Sequence, residues 1–135
     1  MSREADVLRL SGLLGLVAGL GIGVYQMLVN DPMIGMPHGE VPYWMTATHI
    51  HLLGLSLAAL LYSHYLDDLF SEYRVATVGA AIIGQWGFPL TLYPLIALGI
   101  GLFGPIHNVT GIVMFLVAVA FAVNYIRNGW GTAGT

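Results

Sequence analysis

The sequence contains no cysteine and no lysine, and charged residues of either sign make up only 8% of it. The absence of cysteine excludes disulfides, thiolate metal sites, iron–sulfur clusters, cysteine nucleophiles and covalent haem attachment through Cys-x-x-Cys-His. Without lysine there is no phosphate-binding loop of the Walker type. Four arginines against seven acidic residues give a formal net charge of -3, so the chain offers no basic surface for nucleic acid.

Apolar residues dominate what is present. Hydrophobic residues make up 57% of the 135 positions, and the mean hydropathy is +0.79, whereas a soluble domain carries about a quarter charged residues. Crossing a bilayer core takes roughly 20 apolar helical residues. Four runs reach that length: Leu10 to Val29, Thr46 to Leu66, Val75 to Phe103 and Ile106 to Ile126. Because the runs do not alternate every second residue, they predict an all-α, polytopic, single-domain protein with four transmembrane helices bundled in the lipid bilayer.

The arginines predict the orientation of this bundle. Arg3 and Arg9 precede the first run, Arg74 lies between the second and third, and Arg127 follows the fourth. The segment from Asn30 to Met45 contains no arginine. By the positive-inside rule we expect a cell-membrane protein with both termini cytoplasmic and this longer connection outside.

Glycines and prolines predict how the helices pack. Gly12, Gly15, Gly19 and Gly23 recur at three- and four-residue spacing, which places them on one stripe of the first helix. Such a stripe favours close helix packing, either within the bundle or between protomers. The third run is long for one crossing and contains Pro89 and Pro94, so we expect it to be kinked.

Histidines are the main functional signal, because ionisable groups at membrane depth are costly and usually functional. His49 and His51 lie just inside the outer end of the second run, and His107 begins the fourth run on the same side. His64 lies near the cytoplasmic end, too far away to share a ligand with them. Residues two apart on a helix are rotated by about 200°, so His49 and His51 point to nearly opposite faces. Gly54, one turn beyond His51, leaves room for a flat cofactor on that face.

The segment Thr48-His49-Ile50-His51-Leu52-Leu53-Gly54 resembles the His-x-His segment of the catalytic subunit of haem-copper oxidases and, more closely, of nitric oxide reductases. That subunit has three arcs of four helices, so the resemblance implies that this chain corresponds to one arc and that three copies form a homotrimer. It also implies that His49 and His51 are haem ligands, so that each iron could lie between His49 of one chain and His51 of the next. The third run contains no histidine, however, and the family's copper-site ligands are therefore missing. Gas reduction by the family mechanism, and hence enzymatic activity, stays open.

A second ligation scheme follows from the bundle itself. His51 and His107 can face each other across neighbouring helices and hold one haem within a single chain. Both schemes predict a b-type cytochrome with non-covalent haem near the outer leaflet, which accepts electrons from a quinol or a redox protein. Gln85, Trp86 and Tyr93 on the third run could line a quinone pocket or simply pack.

Two other functions compete with the cytochrome. A cluster of thioether, imidazole and carboxylate groups in the outer connection has the ligand types that attract copper, which suggests a copper-binding or copper-passing protein. The cluster consists of Met33, Met36, His38, Glu40 and Met45. The third possibility is a cofactor-free accessory subunit of a respiratory complex.

Overall fold

A computed structural model of the chain describes residues 2–30 and 41–129, whose regular elements are all helical. The helices are α1 (Arg3–Asn30), α2 (Tyr43–Leu69), α3 (Arg74–Leu90) and α4 (Phe103–Asn124), with π-helical segments at Tyr93–Ala97 and Tyr125–Gly129. Together with these segments, the four helices are each long and apolar enough to cross a membrane. The expectation of an all-α protein with four candidate spans is confirmed.

Two helices are longer than the apolar runs from which they were predicted. α1 begins at Arg3 and carries Glu4 and Asp6 in its first turn, where acidic side chains favour the helix dipole. α2 extends beyond the predicted run of residues 46–66 at both ends. Hydropathy marks the stretch suited to hydrocarbon, whereas a helix continues for as long as its backbone hydrogen bonds can form.

The third run is divided rather than merely bent. α3 ends at Leu90, directly after Pro89, and a π-helical segment containing Pro94 follows. Gly99 then adopts a left-handed φ of 66°, which side-chain-bearing residues rarely take up, and α4 begins at Phe103 instead of Ile106. The irregular backbone lies where the two prolines predict it, since neither can donate a helical hydrogen bond.

The helices pack around a centre formed by α2 and α3. α1 lies against both of them, while α4 lies mainly against α3 and makes a narrow contact with α2. The buried apolar core lies away from the end of the bundle where α2 and α4 begin, which we call the histidine end. The core consists of Ala5, Leu8, Ala59, Leu66, Val78, Ala81, Val117 and Phe121.

The glycine stripe of α1 serves packing within the chain. A β-carbon at any of these four glycines would lie within 2.9 Å of an α2 side chain. The partners of Gly12, Gly15, Gly19 and Gly23 are Leu60, Ser56, Leu53 and His49, respectively. The small residues therefore let α1 approach α2 closely from Gly12 to Gly23.

Candidate functional site

The structure separates the two histidines of the His-x-His segment, as the helical rotation predicts. His49 faces α1, where its Nδ1 lies 2.7 Å from the carbonyl oxygen of Gly19. Its ring lies on Gly23, at which a β-carbon would be 2.5 Å from His49 Cε1. His49 is thus packed between α1 and α2.

His51 and His107 are brought together at the histidine end by Phe88 of α3. The Phe88 ring lies edge-on to His51, with ring centroids 4.9 Å apart. The same ring stacks on His107, at 4.2 Å and an interplanar angle of 21°. One aromatic ring of α3 therefore contacts an imidazole of α2 and an imidazole of α4.

Each of the three imidazoles uses its Nδ1 to bond a backbone carbonyl. His51 Nδ1 lies 2.7 Å from Ala47 O, one turn back on its own helix, and His107 Nδ1 lies 2.9 Å from Phe88 O. A carbonyl oxygen only accepts hydrogen bonds, so these contacts favour the neutral tautomer that carries its proton on Nδ1 and its lone pair on Nε2. Histidine ligands to metals are usually held in this manner, with one nitrogen bonded to a carbonyl and the other left to coordinate.

An open apolar groove between α2 and α4 adjoins the pair. It has a volume of about 290 Å³ and is lined by Leu55, Ala58, Tyr62, Phe88, Gly111, Met114, Phe115 and Ala118. A second groove of about 380 Å³ shares Tyr62 and Ala118 with it and continues toward Tyr125. Gly54 is exposed, and a β-carbon there would meet no atom within 4 Å. The surface next to His51 therefore has room for a flat apolar group.

The remaining histidines lie elsewhere. His64 is exposed and lies edge-on to Tyr65 at 5.0 Å, far along α2 from the histidine end. His38 lies outside the described residues. Within residues 2–30 and 41–129, no group of three or more histidine, cysteine or acidic side chains could hold a metal ion.

One protein-family model matches nearly the whole chain. The family model described as "Domain of unknown function (DUF8059)" matches residues 1–134. The chain belongs to the DUF8059 family. No curated protein and no solved structure matches it.

Only Met45 of the outer Met and His cluster of this DUF8059 protein lies within the described residues. Met33, Met36, His38 and Glu40 lie outside the described residues. Met45 is half-buried at the start of α2 and lines a shallow groove beside Trp44.

This DUF8059 protein contains a buried polar cluster whose members the sequence did not connect with one another. The Gln85 side chain is 0% exposed, and its Nε2 donates to Ser11 O and to Ser56 Oγ, both at 3.0 Å. Ser11 Oγ donates to Gln85 Oε1 at 2.8 Å and accepts from Trp86 Nε1 at 2.9 Å. We call Ser11, Ser56, Gln85 and Trp86 the inner polar cluster, and its side chains tie α1, α2 and α3 together.

Sequence reasoning also missed two residues beside His107. Phe88 looked like one of many apolar residues in the third run, and Thr91 stood between two prolines without any motif. The only available signal was their position next to the predicted kink, because broken helices in membranes require side chains that bond the released backbone groups.

Proposed function

We propose that this protein is an integral membrane b-type cytochrome that binds one non-covalent haem b between His51 and His107 and transfers electrons. The observation that carries this proposal is the convergence of the two imidazoles on Phe88, each with Nδ1 bonded to a carbonyl and Nε2 bonded to no described residue. Bis-histidine haem sites are readily built from facing helices of a bundle.

The surroundings of the pair fit a porphyrin in character. The adjoining groove is lined by aliphatic and aromatic side chains, and glycines lie one turn from each histidine, namely Gly54 and Gly111. Binding by both imidazoles requires the Phe88 ring to leave its present contacts. Phe88 lines the groove and is half-buried, so its ring is not enclosed on every side.

The packing of His49 favours ligation within one chain over ligation between chains. Its ring is enclosed by Gly19 and Gly23 of α1, and it must leave that contact to reach the haem of a neighbouring protomer. His51 and His107 already lie at the same end of the bundle, each in contact with Phe88.

The chemistry of the site would come from the haem iron, which exchanges single electrons. The chain's own residues would hold the iron through two Nε2 atoms, orient the rings through the carbonyls of Ala47 and Phe88, and exclude water with the apolar groove. Two imidazole ligands leave no open coordination position, so the proposed role is electron transfer.

We further propose that the chain lies in the cell membrane with the histidine end outside. The positive-inside rule supports this orientation, because Arg3, Arg9, Arg74 and Arg127 all lie toward the opposite end of the helices. Since the chain has no cysteine, Ser71→Cys and Tyr43→Cys each introduce a single reactive thiol. We expect an impermeant thiol reagent on intact cells to modify Tyr43→Cys but not Ser71→Cys, and the reverse pattern would contradict the orientation.

The first test of the cytochrome is the absorption spectrum of the detergent-purified protein, oxidised and dithionite-reduced, with a pyridine haemochrome assay and metal analysis. We expect sharp reduced α and Soret bands and iron near one per chain. A colourless, metal-free protein that also fails to take up added haem would overturn the proposal and favour an accessory subunit. A colourless protein containing copper would favour the copper-binding alternative.

Histidine variants identify the ligands. His51→Ala and His107→Ala should each abolish the low-spin spectrum, whereas His64→Ala, the matched control at the far end of α2, should leave it unchanged. His49→Ala should retain the spectrum. Loss of haem in His49→Ala together with retention in His107→Ala would replace this site by ligation between chains.

A further inference from the structure

We propose that the Phe88 carbonyl and the Thr91 hydroxyl are positioning groups that fix the tautomer of His107 and so present its Nε2 as a ligand. This inference rests on the proposed function for its purpose, but the tautomer itself is a property of the haem-free chain. Nothing in the sequence pattern marks Thr91 for this role.

The carbonyls that hold His107 come from the end of α3. Carbonyls in the last turn of a helix lack helical partners and bond other groups. Here the carbonyls of Gly87, Phe88 and Pro89 each lie within hydrogen-bond distance of a threonine hydroxyl, and Gly87 O also accepts from the backbone N–H of Thr91. Thr91 Oγ1 lies 2.9 Å from both Gly87 O and Phe88 O, and Thr48 Oγ1 lies 3.2 Å from Pro89 O and 2.6 Å from Trp44 O on its own helix. The break at Pro89 and Pro94 therefore creates a row of oriented carbonyls beside α4.

His107 Nδ1 lies within reach of two oxygens at this row. Phe88 O is 2.9 Å away, and Thr91 Oγ1 is 3.0 Å away. Because the carbonyl can only accept, the shared proton belongs to Nδ1. The Thr91 hydroxyl donates its own proton to a carbonyl of α3. Its oxygen can therefore act as a second acceptor for the Nδ1 proton of His107.

The placement of Thr91 makes this arrangement effective. Thr91 is 6% exposed, so water does not compete for its hydroxyl. An Nε2-protonated ring would place the Nδ1 lone pair against the Phe88 carbonyl at the same distance, which is unfavourable in an apolar setting. The bonded tautomer leaves the Nε2 lone pair available, and sharing of the Nδ1 proton makes the imidazole a more basic ligand.

The tautomer is tested without haem. We propose nitrogen NMR of the haem-free, ¹⁵N-histidine-labelled protein in detergent at neutral pH, with the His107 signals assigned by their absence from His107→Ala. The expected result is protonated Nδ1 and unprotonated Nε2. A protonated Nε2 would overturn the inference.

The role of Thr91 is tested in the haem-loaded protein with a matched control. Thr110 is also 6% exposed, and its hydroxyl bonds the carbonyls of Ile106 and His107 on its own helix without touching an imidazole nitrogen. Thr91→Val should weaken haem binding about 10- to 100-fold. It should also raise the midpoint potential, because a less basic imidazole stabilises ferric iron less. Thr110→Val should change neither quantity, and Thr91→Ser should restore both.

Equal losses in both valine variants, or no change in Thr91→Val, would overturn the positioning role. The two proposals fail separately. A wild-type chain that binds no haem but has the Nδ1-protonated His107 refutes the cytochrome and leaves the tautomer assignment standing.

Discussion

The inner polar cluster and the histidine pair are both polar sites in an apolar chain, but they differ in how much hydrogen-bonding capacity they have used. Both amide hydrogens and the carbonyl oxygen of Gln85 form hydrogen bonds with Ser11 and Ser56, and the Trp86 N–H donates to Ser11. His51 and His107 each spend one ring nitrogen, and Nε2 bonds no residue in the described part of the chain. In this apolar chain, therefore, a polar residue points to a ligand through its unused hydrogen-bonding capacity rather than through its polarity.

The difference in capacity implies a division of labour. Changes to the inner polar cluster should alter stability without altering a bound haem. Changes to the histidine pair should alter the haem with little effect on the assembly of the helices. Substitutions at the two sites, and acid, test whether stability and haem binding respond separately.

Acid should produce the largest effect, on the histidine pair rather than on the inner polar cluster. Imidazole must be neutral to bind iron, so the haem should be released as the pH falls to about 4. The inner polar cluster contains no group that titrates in this range, so the helical circular dichroism signal should persist. The measurement is the Soret band followed in parallel with circular dichroism. Full haem retention at that pH in a folded protein would contradict histidine ligation.

Gly15→Ala should cause the next largest effect, on stability. A β-carbon at Gly15 would collide with Ser56 Oγ and approach Gln85 Nε2 to 2.5 Å, so α1 must shift away from α2. Overpacking of this kind costs about 1–3 kcal/mol of the free energy of unfolding. The matched control is Gly21→Ala on the same helix, where a β-carbon would meet nothing within 4 Å. That variant should be neutral or more stable by about 0.5–1 kcal/mol.

Unfolding of both glycine variants by sodium dodecyl sulfate in mixed micelles gives the comparison. If Gly15→Ala and Gly21→Ala unfold alike, then α1 does not pack on α2 through its glycine stripe.

Gln85→Leu should cost less than the glycine variant. It removes the hydrogen bonds to Ser11 and Ser56 but keeps an apolar side chain of similar size. Side-chain hydrogen bonds in membrane proteins average about 0.6 kcal/mol, so a loss of about 1–2 kcal/mol is expected. The control is Asn124→Leu, since Asn124 bonds only Ala120 O of its own helix among the described residues. A changed haem spectrum in Gln85→Leu would show that the two sites are not separate.

Much of the fold is predictable because its determinants are local. The length of the apolar runs predicts four helices, the spacing of the α1 glycines predicts close packing, and Pro89 and Pro94 predict the break after α3. The opposite directions of His49 and His51 also follow from helical geometry alone. These features depend on residues near one another in the chain.

The details of the two polar sites could not be predicted, since they depend on contacts between distant segments. Gln85 reaches Ser11 across 74 positions, and His107 reaches Phe88 across 19. Such pairs depend on the register of one helix against another, which hydropathy does not specify. From the sequence alone, therefore, Gln85 could either line a quinone pocket or simply pack, and no role could be predicted for Thr91.

Trp86→Phe should have the smallest effect and provides the finest test of the separation. The substitution keeps an aromatic ring and removes a single hydrogen bond, from Trp86 Nε1 to Ser11 Oγ at 2.9 Å. Ser11 still donates to Gln85, so the expected loss is about 0.6 kcal/mol of the free energy of unfolding, with an unchanged haem potential. Trp86 lies two residues before Phe88 on α3, so a shift of this helix would reach the carbonyl that bonds His107. A midpoint potential that moves in Trp86→Phe would mean that α3 transmits changes from one polar site to the other, whereas an unmoved potential alongside reduced stability would confirm that the two sites act independently.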